Sequence, residues 1–120
     1  ADGARQSVVV LLGRLASHLP ITDPRVKPII GKLIAALSVP SEMVQKAVAN
    51  CLPGLVPAIK SDAKNVINGL LSLALESNNY GERRGGASGL AGMVKGLGIL
   101  SLKKYDILKK LLDHFCGFVR

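Results

Sequence analysis

The chain has 120 residues, sixteen Lys/Arg against eight Asp/Glu for a net charge of +8, and is 48% hydrophobic but only 3% aromatic. That composition is too apolar for a disordered chain and sized for one modest core. It also excludes a membrane span: the longest uncharged run, Ala47 to Ile59, is thirteen residues and holds Pro53 and Pro57, whereas a bilayer helix needs roughly 18.

In chain order the pattern predicts six helices, at about 4–19, 24–37, 42–57, 62–76, 82–96 and 102–115. The apolar cluster Val8 to Leu12 fits a buried stretch of the first helix and is too short for a secretory h-region. Asp23 before Pro24 reads as an N-cap with proline at the first helical position. The second helix carries Ile29, Leu33 and Leu37 four apart, a stripe along one face. Ser41 before Glu42 caps the third helix, which Pro53 and Pro57 are expected to bend or end early. Ser61 with Asp62 caps the fourth, whose stripe is Ile67, Leu71 and Leu75. A turn over Ser77 to Gly81 precedes the fifth helix, and Ser101 caps the last. No strand-like alternation occurs.

The elements repeat. Val44 to Val56 aligns with Glu82 to Val94 at a shift of 38, matching Ala47/Gly85, Leu52/Leu90, Gly54/Gly92 and Val56/Val94. Shifted back by 40, the same segment meets Ala4 to Ala16. Pro24 to Leu37 aligns with Asp62 to Leu75, again 38 apart. Two helices per period of this length is the HEAT pattern, in which helix pairs stack into a superhelical solenoid. The expected architecture is therefore all-α, about three repeats, with boundaries near 20–24, 58–62 and 97–101. Neither end has the polar look of a capping repeat, so residues 1–120 read as one segment of a larger array.

Few residues invite chemistry. Cys51 and Cys116 give neither a disulfide framework nor metal-ligand spacing, and read as small buried hydrophobes. With no Asn-x-Ser/Thr site, the setting reads as reduced and cytoplasmic. Seven glycines fall between Gly81 and Gly98. They fit neither a Walker loop, because Gly96 follows Lys95, nor a G-x-G-x-x-G fingerprint. Gly85, Gly89, Gly92 and Gly96 share a helical face and point to close helix packing. His18 and His114 form no Cys/His cluster, and Glu42, Glu76 and Glu82 sit in capping or turn contexts. No catalytic residue, metal or cofactor is expected. A small enzyme would need an open pocket pairing His18 or His114 with an acid or thiol.

The basic residues are the remaining candidates. The charge divides evenly, +4 in residues 1–60 and +4 in residues 61–120. Arg83-Arg84 opens the fifth helix, Lys95 lies near its end, Lys60 and Lys64 flank a turn, and Lys103-Lys104 starts the last helix. Lys109-Lys110 follows six residues on. Cations at a helix start oppose its dipole, so Arg83, Arg84, Lys103 and Lys104 are not placed for helix stability. Four aromatic side chains are too few for stacking on single strands, which leaves shape or backbone contact with structured RNA.

Two stretches carry a resemblance. Val44-Gln45-Lys46-Ala47-Val48-Ala49, continuing through Cys51-Leu52-Pro53 to Lys60, is one. Tyr80-Gly81-Glu82-Arg83-Arg84-Gly85, running through Gly89-Leu90-Ala91-Gly92 to Lys103, is the other and the more specific. Over about residues 5 to 105 the chain resembles the large HEAT-repeat translational activators of general amino-acid control. The resembling region is their central part, itself similar to the HEAT domain of fungal elongation factor three. The resemblance implies a cytoplasmic, non-catalytic scaffold that contacts ribosomes. It also implies work with an ABC-type ATPase partner and presentation of the initiation-factor-two alpha kinase to stalled ribosomes. The family's kinase-binding segment lies elsewhere, so no kinase contact is assigned to these residues. The alternative is a generic HEAT module gripping a helix or acidic peptide of a protein partner. Neither reading involves a membrane or a small-molecule substrate. Gly86-Ala87-Ser88 departs from the family pattern, as does the tail from His114 to Arg120.

Overall fold

Helices follow one another with short turns in the computed structural model, which describes residues 2–119. They are α1 (Asp2–His18), α2 (Val26–Ala36), α3 (Glu42–Ile59), α4 (Ala63–Glu76), α5 (Tyr80–Leu97), α6 (Ser101–Lys104) and α7 (Ile107–Val119), with a 3₁₀ turn at Lys60–Asp62. The all-α expectation holds, and among the described residues no strand occurs.

Alternate helices form two layers. α1, α3 and α5 stack side by side; α2 packs on α1 and α3, and α4 on α5. The molecule measures 46 × 33 × 19 Å, its thin dimension about two helix diameters. Close approaches fix the directions. Gly92 and Gly96 of α5 face Ala49 and Pro53 of α3, so these two run parallel. Gly86 and Gly89 of α5 face Ala74 and Leu70 of α4, so these run antiparallel. This is the arrangement of helix pairs in an α-α solenoid. It leaves two edges. The upper edge holds the turns α1–α2, α3–α4 and α5–α6; the lower edge holds α2–α3 and α4–α5.

The core lies between the layers. Leu33 and Leu37 of the first predicted stripe and Ile67 and Leu71 of the second are buried, joined by Val48, Leu52 and Leu55 of α3 and by Met93 of α5. Ile29 and Leu75, the outer ends of those stripes, pack partly buried against it.

The prolines do not shorten α3, which runs through Pro53 and Pro57 to Ile59. Proline lacks the N–H that would bond the carbonyl four residues back, which frees the carbonyls of Ala49 and Pro53. Gly92 and Gly96 close on those same groups: a Cβ on Gly92 would lie 2.6 Å from the Ala49 oxygen, and one on Gly96 would lie 3.2 Å from the Pro53 oxygen. The two freed carbonyls thus meet glycine backbone, where Cα–H groups can serve them weakly. Close packing along the glycine face is as the spacing predicts.

Several boundaries differ from the sequence pattern. The last helix is broken at Tyr105-Asp106, where Asp106 takes a left-handed φ of 56°. Ser101 lies inside α6, and its hydroxyl donates to the Gly98 carbonyl (2.6 Å) instead of capping. Asp62 precedes α4 but accepts from the Asn65 amide (2.7 Å), not from backbone. Asp23 accepts from the Arg25 N–H (2.9 Å), and α2 begins only at Val26. Ser41 caps α3 as expected, accepting from the Val44 N–H. Asn79 caps α5, accepting from the Glu82 N–H (3.2 Å). Arg120, at the end of the divergent tail, lies outside the described residues.

Candidate functional site

The antiparallel succession of helices sorts the basic residues by edge. Lys60 and Lys64 flank the α3–α4 turn, and Lys95, Lys103 and Lys104 flank the α5–α6 turn, all on the upper edge and all exposed. Arg25 and Lys27 join them at the α1–α2 turn. Against these seven cations stand Asp23, Asp62 and Asp106, so the upper edge carries +4. The lower edge, from Glu42 and Lys46 to Glu76, Glu82, Arg83 and Arg84, has three of each sign. Five of the seven sequence-predicted contacts therefore share one edge, and Arg83 and Arg84 lie on the other.

The upper cations make few bonds within the molecule. Arg25 is engaged by Asp23 at 2.8 Å, and the guanidinium holds that carboxyl down at about 2. The Lys104 ammonium sits 5.4 Å from the Tyr105 ring centre. Between the cations, the turn after α5 lifts Ile99 and Leu100 into solvent at 77% and 80% exposure. Gly98, at φ 93°, makes that turn. Lys110, outside the predicted set, spends its ammonium on the Asn68 side chain (3.0 Å).

Arg83 and Arg84 are half-buried and bonded. The Arg83 guanidinium donates to the Ser77 carbonyl (2.9 Å), and Arg84 Nε donates to the Gln45 side-chain oxygen (2.9 Å). Both stand within 6 Å of the Tyr80 ring centre, at 5.8 and 5.7 Å, in cation–π range. Their position at the helix start opposes the dipole, but carbonyl and amide partners offset it. Gln45 joins them from outside the sequence-predicted set. It is 1% exposed on α3, and its amide nitrogen lies 2.7 Å from the Gly81 oxygen, 2.9 Å from Val39 and 3.1 Å from Leu37. A glutamine between Val44 and Val48 on an apolar face was the available signal.

Catalytic geometry is sparse. An open groove of about 520 Å³ between α4 and α7 has Glu76, Asp113 and His114 among its lining residues. There Ser72 already donates to the Glu76 carboxylate (2.9 Å). Among the described residues no three His, Cys, Asp or Glu side chains are grouped to hold a metal. Cys51 is partly buried beside α1, and burial pushes its thiol up, which disfavours the thiolate. Cys116 is exposed, contrary to its apolar sequence context, because α7 turns much of its apolar face outward. Among the described residues no helix is long and apolar enough to cross a membrane.

Comparison with known proteins gives close relatives. The chain is 62% identical over 112 residues to the human stalled ribosome sensor GCN1, a match covering 93% of the chain. It is 49% identical over 114 residues to the eIF-2-alpha kinase activator GCN1 of Dictyostelium discoideum. With the Saccharomyces cerevisiae protein of the same name it shares 36% over 110 residues. The chain spans about 4% of the length of these relatives. No family model matches the chain, and no solved structure does. The relatives are named for sensing and activation rather than for a reaction of their own.

Proposed function

Over more than nine tenths of its residues this chain resembles GCN1 proteins, and from that premise we propose that it is a non-catalytic, cytoplasmic scaffold segment that contacts the ribosome through its upper edge. In the full-length setting the scaffold would serve activation of the initiation-factor-two alpha kinase, alongside an ABC-type ATPase. The observation that carries the reading is the charge of that edge. Lys60, Lys64, Lys95, Lys103 and Lys104 are exposed, largely free of internal partners, and spaced along successive turns of one stack. Such a row of ammonium groups suits an extended phosphate backbone, where each neutralised phosphate releases counterions. Arg83 and Arg84 contribute less in this reading, because their guanidinium groups already have partners inside the fold.

The test is cosedimentation with purified ribosomes across a salt series. Changing the five upper lysines to Glu should weaken binding and flatten its salt dependence, each lost phosphate contact removing about 0.7–0.9 from the log–log slope. The change Lys46→Glu on the lower edge should leave binding intact. Equal losses from both variants would sink the edge assignment.

One observation favours a second reading. The solvent-lifted Ile99-Leu100 pair amid lysines also suits an acidic, partly apolar protein segment. Binding that survives nuclease, persists without ribosomes and falls with Ile99→Asp would select that partner.

A further inference from the structure

Packing between α3 and α5 has an unusual division of labour. Over its middle and upper part, glycine on α5 lets α3 come close: Gly92 lies on the Ala49 carbonyl beside the Leu52 side chain, and Gly96 on Pro53 and the Val56 side chain. The knobs there come from α3 alone, because glycine gives α5 no ridge of its own, and a one-sided contact of this kind sets rotation less firmly than interlocked ridges and grooves. At the lower end the contact changes character. Gln45 of α3 donates to the last carbonyls of the preceding helix and turn, Leu37 and Val39, and across the stack to Gly81 of α5. Its oxygen accepts from Arg84 of α5. The orientation is forced, since only the NH₂ end can face three carbonyls and only the oxygen can meet a guanidinium. Gly85 leaves the necessary room, for a Cβ there would stand 2.8 Å from the Gln45 nitrogen.

The repeat alignment extends this pattern. A shift of 38 carries Gln45 to Arg83 and Val39 to Ser77. Gln45 donates to the Val39 carbonyl and Arg83 to the Ser77 carbonyl, six residues back in both repeats. A long donor at this position therefore closes the lower turn of each helix pair. In the first pair it also reaches the next helix of the stack.

We infer that Gln45 and Arg84 form a latch that fixes the rotation between successive helix pairs, acting on a glycine-lined pivot that does not fix it alone. The inference is independent of ribosome contact. It assigns Arg84 to the shape of the scaffold rather than to its partner surface.

Hydrogen exchange and paired spin labels on the whole chain test it, with Cys51 and Cys116 changed to Ser. Gln45→Leu removes every latch bond, and Arg84→Met keeps the aliphatic stem while removing the bond to Gln45 together with the cation–π contact to Tyr80. Amides of residues 37–39, 41 and 81–84 should exchange about tenfold faster in Gln45→Leu, with residues 59–63 and 97–101 nearly unchanged. Labels at Glu42 and Ala87, low on α3 and α5, should give a broadened distance distribution in both variants. Labels at Lys60, just past the upper end of α3, and Lys95, high on α5, should not. Broadening at both ends together, or at neither, would overturn the latch.

Discussion

The two edges of the stack use their polar residues in opposite ways. On the lower edge, Ser41 and Asn79 cap helices, Gln45 gathers three carbonyls, and Arg83 and Arg84 donate to Ser77 and Gln45. On the upper edge, Asp62 and Ser101 make only local bonds, and Lys60, Lys64, Lys95 and Lys103 stand exposed. The lesson concerns reading charge: a cation with a carbonyl in reach serves the fold first, and a cation without one is available to a partner. Arg83-Arg84, a candidate contact pair in the sequence alongside Lys103-Lys104, is the best-bonded of the candidates in the structure.

The largest expected effect comes from crowding the lower edge. In Gly85→Ala the new methyl would press on the Leu37 carbonyl and the Gln45 amide. Overpacking of this kind costs about 1–3 kcal/mol, more than the roughly 1 kcal/mol of helix propensity that alanine returns. Urea denaturation should show a net loss. Gly54, in the upper half of α3, meets nothing within 4 Å, so Gly54→Ala should be neutral or gain up to about 1 kcal/mol. Two losses of equal size would erase the contrast between the edges.

Capping offers the next comparison. Asn79 bonds the Glu82 N–H, so Asn79→Ala should cost about 1 kcal/mol. Asp62 stands at the matching place before α4 on the upper edge but bonds only the Asn65 side chain. Asp62→Ala should therefore cost no more than about 0.5 kcal/mol. Thermal unfolding of the two variants beside the parent chain measures the difference.

Much of this was legible in the sequence because it is periodic. The stripes Ile29–Leu33–Leu37 and Ile67–Leu71–Leu75, the 38-residue shift and the glycine face all follow from helical spacing. What escaped was set by contacts distant in sequence. Gln45 is held by Gly81 and Arg84, 36 and 39 residues away, as well as by the nearer Leu37 and Val39. The break at Tyr105-Asp106 carries no glycine or proline, so local propensity gave no warning. Among the candidate contacts, residue type was readable but edge was not, because the edge depends on which way each helix runs.

The smallest effect sharpens the upper edge from the Arg25–Asp23 ion pair. Asp23 is held down at about 2, chiefly by the side-chain bond from Arg25, then by the Arg25 backbone N–H. A carboxyl depressed in the folded state contributes stability above its unfolded value of about 3.9 and loses it as pH falls through its folded value. The contribution should thus be full above about pH 4 and fade towards pH 2. Because the pair is open to solvent, salt should screen it. In Arg25→Gln the side-chain bond and the positive charge go while the backbone N–H stays. The Asp23 midpoint, followed by carboxyl carbon NMR, should rise only part of the way towards about 3.9. A full return would mean that the backbone bond contributes nothing, and no change would mean that Arg25 is as free as its lysine neighbours.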